Sequence, residues 1–223
     1  MRLTLFDLDH TLLSGDSDFE WGQFLAVLGV VDRASHERRN RAFYEDYKAG
    51  TLDIEAFLAF QLEPLKSFPR HQLDRWHQQF MAQRIMPLIG PLARQKVADE
   101  QARSDLVAIV TATNRFVTAP IALAFGIEHL IATEPDTDPQ GEFTGRVRGI
   151  PSFRAGKIAR VDEWLASLGR HWDEFDATAF YSDSMNDLPL LERVTEPVAV
   201  NPDNALEALA RAQHWPILNW MGS

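Results

Sequence analysis

Short apolar runs alternate along the chain with longer stretches that place apolar residues on one helical face. The runs are β-branched or aromatic and end on polar residues, as buried strands do; they cover 3–8, 105–112, 129–133, 178–183 and 197–201. Helical spacing is found at 116–125, 156–168 and 203–212. This alternation predicts an α/β fold with a Rossmann-like three-layer core, in which helices cover a parallel sheet.

A long insertion separates the first two predicted strands. About ninety residues lie between them, whereas a crossover between parallel strands needs only about a dozen. Trp21, Phe24 and Leu28 recur at helical spacing, and Asp16 or Ser17 can cap the helix that they predict. The same spacing returns at 53–62 and 71–85. We therefore predict an all-helical cap domain over 14–86, and a core domain made of 1–13 and 87–223.

Two shorter stretches carry weaker local signals. The segment "GEFTGRVRG" (141–149) is bounded by glycines and alternates roughly between apolar and polar residues, which predicts a small β-hairpin. The segment "HERRNR" (36–41) is rich in charge, and we interpret it as a solvated helix face.

Composition narrows the class of partner. The 223 residues carry a formal net charge of -10, which argues against binding to a nucleic-acid backbone. The chain has no cysteine, so it has neither disulfides nor thiolate chemistry, and this fits a cytoplasmic protein. No apolar run approaches the roughly 18 residues of a membrane span. We expect a small-molecule partner and no nucleic acid or membrane, while the oligomeric state stays open.

Polar side chains gather where the predicted strands end. They are Asp7 and Asp9 after the first strand, Thr111, Thr113 and Asn114 after the second, and Ser182, Asp183, Ser184, Asn186 and Asp187 after the fourth. Ligands of an open parallel sheet bind beyond these ends. Converging carboxylates repel one another, and a hard cation such as Mg²⁺, which prefers oxygen ligands, relieves the repulsion. Lys157 and Thr111 can then bind a substrate phosphate.

Four segments in this order resemble the motifs of a known family. They are "DLDHTLL" (7–13), "IVTAT" (109–113), Lys157 in "GKIARV", and "YSDSMNDLPLL" (181–191). Together they resemble the haloacid dehalogenase superfamily of phosphatases. The helical insertion after the first motif is similar to the type I cap of its subfamily IB, the phosphoserine-phosphatase-like branch.

The resemblance implies catalytic roles for the acidic residues. Asp7 would be the nucleophile that forms an aspartyl-phosphate. Asp9 would protonate the leaving alkoxide and later activate water. The Mg²⁺ ligands would be the side chains of Asp7 and Asp183 and the backbone carbonyl of Asp9.

The resemblance also implies roles for residues around the phosphate. Thr111 and the backbone amide of Ala112 would bind the phosphoryl group together with Lys157. Asp187 and Asn186 would complete the outer shell of the metal and hold Lys157. Asn114 is either a phosphate contact or a helix cap. The fourth motif reads Ser182-Asp183-Ser184 where the family often has G-D-G, which changes the loop but keeps the carboxylate.

Substrate choice is assigned to the cap. By resemblance to phosphoserine phosphatases, Asp16 would meet a substrate amine, although it is equally suited to cap a helix. Trp21 is either part of the cap core or a wall of the pocket. A substrate carboxylate would need a cation, and Arg38, Arg39 and Arg41 are equal candidates.

The sequence therefore predicts a Mg²⁺-dependent phosphomonoester hydrolase that acts on a small, amine-bearing ester such as phosphoserine or histidinol phosphate. A phosphotransferase to an alcohol acceptor is the nearest alternative. A signalling module phosphorylated on Asp7 is a further one, but it would need neither the acid Asp9 nor a cap. A non-catalytic metal-binding protein would leave Thr111 and Lys157 without a role.

Overall fold

The computed structural model describes residues 1–220, and the last three residues of the predicted core domain lie outside this range. A six-stranded sheet with the order β3-β2-β1-β6-β7-β8 forms the centre of the core, and a two-stranded β4-β5 sheet lies beside it. The strands are β1 (Arg2–Phe6), β2 (Leu106–Asn114), β3 (His129–Thr133), β4 (Pro135–Thr137), β5 (Phe143–Val147), β6 (Ala177–Ser182), β7 (Glu196–Val200) and β8 (Ile217–Leu218).

All pairings within the six-stranded sheet are parallel. Each predicted strand is present with its ends shifted by at most two residues, and the two-residue strand β8 extends the edge. The helices are α1 (Ser17–Val27), α2 (Arg33–Ala49), α3 (Ile54–Ser67), α4 (Arg70–Phe80), α5 (Pro91–Arg103), α6 (Arg115–Ala124), α7 (Ala155–Ser167), α8 (Leu188–Leu191) and α9 (Asn204–Ala212).

Side chains of β1 point alternately into two apolar cores. Phe6 packs into the core on the α5 and α6 face, whereas Leu3 and Leu5 pack into the core on the α7, α8 and α9 face. This alternation follows from the two-residue period of a strand. The sheet is thus covered on both faces, which confirms the predicted α/β class with three layers.

The insertion between β1 and β2 begins with α1 to α4. A π-helical turn (Met81–Ile85) and a 3-10 turn (Met86–Leu88) then lead to α5. Aspartates cap the first three helices, because Asp16, Asp32 and Asp53 each accept a backbone N–H from the first turn. An isolated antiparallel bridge pairs Leu13 with Ile89, where the chain leaves the core and returns to it.

The segment 36–41 is only partly solvated, contrary to the sequence interpretation. His36 and Asn40 of α2 are buried, and the His36 ring lies 4.8 Å from that of Phe60. A Cβ atom on Gly22 would lie 2.1 Å from this ring, so glycine is what allows α1 to approach α2. The charged residues around them gave no indication that these two positions of the helix are buried.

The predicted hairpin at 141–149 is misplaced. Its first strand, β4, comes before this segment, and its turn is organised by the Asp138 carboxylate, which accepts the N–H groups of Gln140 and Glu142 at 2.9 and 3.0 Å. Only β5 lies within the predicted range. The three-residue β4 carries too little alternation to be visible in the sequence, and β5 packs against α3 of the insertion.

Within residues 1–220, no helix is both long and apolar enough to cross a membrane.

Candidate active site

A cavity of about 840 Å³ opens at the carboxyl ends of the central strands, between the sheet and the helices of the insertion. Its wall includes the following residues predicted from the sequence: Asp7, Asp9, Asp16, Thr111, Ala112, Lys157, Asp183 and Asp187. The predicted residues Trp21, Asn114 and Asn186 are not part of the wall. The topology thus brings side chains from β1, β2, α1, α7 and the loop after β6 to one place.

Lys157 lies between two carboxylates at the base of the cavity. Its Nζ donates to Asp7 Oδ1 and to Asp187 Oδ2, both at 2.7 Å, and Ser182 Oγ also donates to Asp187 Oδ2 at 2.7 Å. A Cβ on Gly156 would lie 2.1 Å from the Pro151 carbonyl oxygen, so glycine is needed for α7 to begin where it does. The tight start of α7 places Lys157 beside the nucleophile predicted from the sequence.

Burial and the charge of the partner shift the pKa of each member of this pair in opposite directions. Burial raises the pKa of Asp7 to about 7, because the attraction of Lys157 only partly offsets the loss of hydration. Burial would lower the pKa of Lys157, but Asp187 and Asp7 outweigh it and the pKa is raised. Lys157 is therefore a permanent cation, whereas Asp7 needs further positive charge to stay ionised.

Asp9 accepts hydrogen bonds from residues of α1 and of β2. Its Oδ1 accepts the backbone N–H of Ser17 at 2.6 Å, and its Oδ2 accepts the hydroxyls of Thr113 at 2.8 Å and Thr111 at 3.4 Å. Burial and the nearby charge of Asp16 raise the pKa of Asp9. A raised pKa suits a carboxyl group that must deliver a proton. His10, with a φ of 57°, turns the chain sharply directly after it.

Asp183 is a half-buried carboxylate that lines the cavity together with Asp7. Its Oδ1 accepts the Thr11 hydroxyl at 3.0 Å. Burial, followed by the charges of Asp7 and Asp187, raises its pKa well above the usual value. The charge of Asp7 raises the pKa of Asp183, and a hard cation bound by both carboxylates would relieve this repulsion.

Carboxylate and imidazole side chains alone do not complete a metal site here. Among residues 1–220, no three such side chains are spaced to hold an ion. Mg²⁺ is commonly bound by one or two carboxylates, with waters and substrate phosphate as the remaining ligands. Asp7 and Asp183 therefore fit Mg²⁺, provided that backbone, water and phosphate oxygens complete the shell.

With this geometry in place, comparison with known proteins identifies the family. A sequence model described as haloacid dehalogenase-like hydrolase matches residues 4–192. The chain belongs to this family. The hydrolase is 45% identical over 219 residues to a protein of Neisseria meningitidis serogroup C (strain 8013) that is named histidinol-phosphatase, which covers 98% of this chain and 99% of that one.

Solved structures agree with this assignment. A protein of unknown function from Bordetella pertussis Tohama I superposes with a TM-score of 0.93 at 48% identity, over 99% of both chains. A phospho-aspartyl intermediate analogue of phosphoserine phosphatase shares the fold, with a TM-score of 0.68 at 19% identity, over 97% of this chain and 92% of that one. The predicted family, fold and phosphatase class are thereby confirmed.

Asp18 is among the residues of the cavity wall that were not predicted from the sequence. Asp18 is 4% exposed, lines the cavity and accepts a hydrogen bond from Asn114 Nδ2 at 3.2 Å. Burial, followed by the charges of Asp16 and Asp9, raises its pKa well above the usual value. The sequence shows that the first turn of α1 is acidic. Acidic residues are common at the start of surface helices, so this pattern alone did not indicate a cavity residue.

Asp16 caps a helix, and its contact with a substrate amine stays a prediction. Its Oδ1 accepts the Phe19 N–H at 2.8 Å as a helix cap, and the residue also lines the cavity. Of the three candidate arginines, Arg41 lies on the cavity wall, whereas Arg38 and Arg39 do not. The guanidinium of Arg39 lies 4.4 Å from the centre of the Phe60 ring instead.

Trp21 does not line the pocket, which corrects its assignment as a specificity residue. It is 2% exposed and stacks among Phe24, His77, Phe80 and Phe116, with ring centres 5.1 to 5.7 Å away. Trp21 is therefore part of the apolar core of the insertion.

The asparagines support the site differently from the prediction. Asn114 caps α6, because its Oδ1 accepts the Val117 N–H at 3.2 Å, and it does not reach the cavity. Asn186 does not contact Lys157. Its Oδ1 accepts Arg154 Nε at 2.9 Å, and its Nδ2 donates to the Tyr47 carbonyl at 3.2 Å.

Tyr47, Gly50, Arg154, Ser184 and Asn186 form a group that we call the cap clasp. The Tyr47 hydroxyl donates to Ser184 Oγ at 2.7 Å, and a guanidinium nitrogen of Arg154 donates to the Gly50 carbonyl at 2.6 Å. The clasp joins the end of α2 to the loop that carries Asp183. The position of the cap and the geometry of the fourth motif are thus linked directly.

Proposed function

We propose that this hydrolase is a Mg²⁺-dependent phosphomonoester hydrolase whose substrate is histidinol phosphate. The observation that carries the proposal is the composition of the cavity wall on the insertion side. Asp16 and Glu20 bring negative charge to the wall, Asp18 adds a further carboxyl group, and aromatic rings line the same cavity. Aromatic lining residues are Phe19, Phe43, Tyr44, Tyr47, Phe57 and Phe153.

This wall suits an amine and an imidazole. Histidinol phosphate carries both and has no carboxylate, so the acids can pair with its ammonium while the rings pack against its imidazole. Phosphoserine would add a carboxylate to a wall that already carries Asp16, Asp18, Glu20 and Glu37. Arg84 is already close to Glu20, at 3.4 Å, which leaves Arg41 as its candidate partner. The 45% identity to a protein named histidinol-phosphatase supports the same choice.

In the proposed first step, a carboxylate oxygen of Asp7 attacks phosphorus and the bond to the leaving alkoxide breaks. Lys157 holds Oδ1, which orients the carboxylate and leaves Oδ2 to attack. Asp9, whose pKa is raised by burial, gives its proton to the alkoxide. Thr111 and the amide of Ala112 bind the oxygens of the transferring group.

In the second step, the ionised Asp9 takes a proton from water as the water oxygen attacks phosphorus. The bond between phosphorus and the Asp7 oxygen breaks, so inorganic phosphate leaves and the Asp7 carboxylate is restored. Mg²⁺ would supply positive charge that keeps Asp7 ionised and offsets the charge of the phosphoryl oxygens. Asp7, Asp183 and the Asp9 carbonyl would hold it.

We further infer that 14–86 moves as a cap on a core made of 1–13 and 87–223. The Leu13 to Ile89 bridge, where the two stems meet, supports these boundaries. Closure of such a cap would exclude water while the aspartyl-phosphate forms. Residues 221–223 are assigned to the core by sequence only.

The test compares purified protein on histidinol phosphate and phosphoserine with Mg²⁺, and after removal of divalent cations by EDTA. We expect kcat/KM for histidinol phosphate to exceed that for phosphoserine by about 10²-fold or more, and activity to disappear with EDTA and return with Mg²⁺. Equal release of alcohol and phosphate, without an added alcohol acceptor, distinguishes hydrolysis from phosphotransfer. A preference for phosphoserine would overturn the substrate assignment.

Asp16→Asn tests the amine site specifically. Asparagine caps helices as well as aspartate, so the thermal midpoint should stay unchanged while the negative charge is lost. Loss of a charge-assisted contact worth about 1.5–3 kcal/mol raises KM for histidinol phosphate by about tenfold or more. The deamino analogue of the substrate is the control, because its KM should not change. Equal effects on both substrates would show that Asp16 does not recognise the amine.

A further inference from the structure

A second cavity, of about 700 Å³, lies on the side of the molecule formed by α4, the π-helical turn, α6 and the β4-β5 hairpin. We call it the hairpin cavity. It shares no lining residue with the candidate active site. One wall belongs to the helical insertion and the opposite wall to the core, so a molecule bound here would contact both.

The hairpin cavity carries an excess of positive charge. Its wall holds the three arginines Arg70, Arg115 and Arg148, against the two carboxylates of Asp74 and Glu134. The formal net charge of the whole protein is -10. A concave, positively charged site in an acidic protein attracts anions locally.

Two of the three arginines are already paired. Arg70 Nε donates to Asp74 at 2.9 Å, and Arg115 Nε donates to Glu134 at 2.7 Å. Arg115 also donates to the Leu130 carbonyl at 2.6 Å. These contacts fix the two guanidiniums at the rim and compensate the two acids.

Arg148 is the unpaired cation of this cavity. Its backbone N–H donates to the Glu134 carbonyl at 2.8 Å, which fixes the main chain next to the cavity. Within residues 1–220, its guanidinium has no carboxylate partner and no hydrogen-bond acceptor. A guanidinium in this state can bind one carboxylate with two parallel hydrogen bonds.

The floor of the hairpin cavity is apolar and aromatic. Phe116 and Phe143 meet edge to face with ring centres 5.3 Å apart, and Met81 and Pro120 extend the surface. The Arg70 guanidinium lies over both rings, 4.9 Å from the centre of Phe143 and 5.6 Å from that of Phe116, and each phenylalanine is 8% exposed. A flat apolar group would fill this floor, in the way that small-molecule sites combine apolar walls with few polar groups.

We propose that the hairpin cavity binds a small organic monoanion, a carboxylate attached to an apolar ring. Arg148 binds the carboxylate, and the exposed parts of Phe116 and Phe143, together with Met81 and Pro120, contact the ring. The cavity wall carries one more arginine than carboxylates, and this excess of one positive charge matches one carboxylate. The site is separate from the substrate site and independent of the proposed function.

The test uses 4-fluorobenzoate as the probe and fluorine NMR of the probe as the measurement. Addition of the full-length protein should broaden the probe signal, and titration gives its dissociation constant. We expect 4-fluorobenzamide, which keeps the ring but loses the negative charge, to bind at least fivefold more weakly. Inorganic phosphate at a concentration that inhibits turnover should not displace the probe.

Two arginines of the same strand and loop provide matched variants. Arg148→Gln should weaken 4-fluorobenzoate binding at least fivefold, whereas Arg146→Gln, which removes an exposed arginine outside the cavity, should leave it unchanged. Both positions are exposed, so both variants should fold, and circular dichroism checks this. Absence of binding by the native protein, equal binding by Arg148→Gln, or displacement by phosphate would each overturn the proposal.

Discussion

At the scale of single residues, Asp7 and Lys157 show how the proposed nucleophile is kept in place. The ammonium occupies Oδ1 of Asp7 at 2.7 Å and is itself anchored by Asp187. Leaving one of these charges without its partner inside the protein is strongly destabilising. The pair therefore fixes both the geometry of the site and part of the stability of the fold around it.

Asp7→Asn separates the structural role of Asp7 from its proposed role as the nucleophile. The amide oxygen can still accept a hydrogen bond from Lys157, but the amide cannot attack phosphorus. We expect kcat to fall by about 10⁴-fold or more, with an unchanged circular dichroism spectrum. Asp99→Asn, at an exposed position on α5, is the control with native activity. Measurable turnover by Asp7→Asn would contradict the assignment of the nucleophile.

Asp9→Asn should affect an alkyl phosphate and an aryl phosphate differently, because only the alkyl leaving group needs a proton. An alkyl leaving group needs a proton, so hydrolysis of histidinol phosphate falls by about 10²–10⁴-fold. Nitrophenolate leaves without protonation, so p-nitrophenyl phosphate still phosphorylates Asp7 but the second step lacks its base. Stopped-flow absorbance should show a burst of nitrophenolate equal to the enzyme concentration. A slow linear release without a burst would exclude the double role of Asp9.

Which site residues the sequence can predict depends on what places them. Asp7, Asp9 and Asp183 follow buried strands, and the ends of neighbouring parallel strands meet in space whatever the rest of the chain does. Asn186 and Trp21 depend on partners from distant segments, namely Arg154 for the former and His77 for the latter. Spacing along the sequence carries no information about such partners.

At the scale of elements, the cap clasp joins the insertion to the loop that carries Asp183. Its hydrogen bonds connect α2 with the segments that precede α7 and follow β6. Arg154 has a φ of 51°, a conformation that side chains other than glycine rarely adopt. The hydrogen bonds of Arg154 to Asn186 and Gly50 hold it in this conformation.

A double-mutant cycle tests the clasp. Tyr47→Phe and Ser184→Ala each remove one partner of the 2.7 Å hydrogen bond, which is worth about 1 kcal/mol. Each single change should therefore lower kcat/KM for histidinol phosphate about fivefold, by weakening cap closure. The double variant should be no worse than either single variant. Effects that multiply would show that the two groups act independently.

Elements differ in how clearly the sequence encodes them. The strands of the core are continuous apolar runs because both faces of a parallel sheet are buried, so their positions were predicted to within two residues. The hairpin was misplaced because β4 has only three residues and its partner strand lies on α3 of the insertion rather than in the main sheet. Local periodicity is weak when a strand is short and its packing comes from elsewhere.

At the scale of the whole molecule, one buried acid ties a surface helix to the sheet. Glu100 of α5 is 0% exposed and receives hydrogen bonds from Arg103, Tyr181 and Thr4. Lys96 forms an ion pair with it at 2.9 Å. Burial would raise the pKa of Glu100, but the hydrogen bonds from Arg103, Tyr181 and Lys96 prevail and lower it to about 2.

Stability should therefore depend on pH through Glu100. Since its pKa is lowered on folding, the stabilisation is fully present above the ordinary value of 4.5 and is lost as pH falls towards 2. Glu100→Gln should lower the free energy of unfolding at pH 7 by about 3 kcal/mol, and by less at pH 3. Urea denaturation at both pH values measures this difference.

Glu207→Gln is the matched control for this measurement. Glu207 pairs with Arg211 on the exposed surface of α9, and exposed helical pairs contribute only about 0.3–0.5 kcal/mol. Its loss should hardly change the unfolding free energy at either pH. An equal cost of Glu100→Gln at pH 7 and pH 3 would show that the ionised carboxylate is not what stabilises the fold.

The bridge between Leu13 and Ile89 has a consequence for how such enzymes diversify. Because both ends of the inserted helices leave the sheet side by side, the gap that their removal would open is no wider than one pair of adjacent strands, about 5 Å. A helical module of another length and lining can be joined at the same two stems if it again supplies the donor that Ser17 offers to Asp9. Exchange of the inserted helices can thus change the substrate, while the residues that bind the phosphate stay the same.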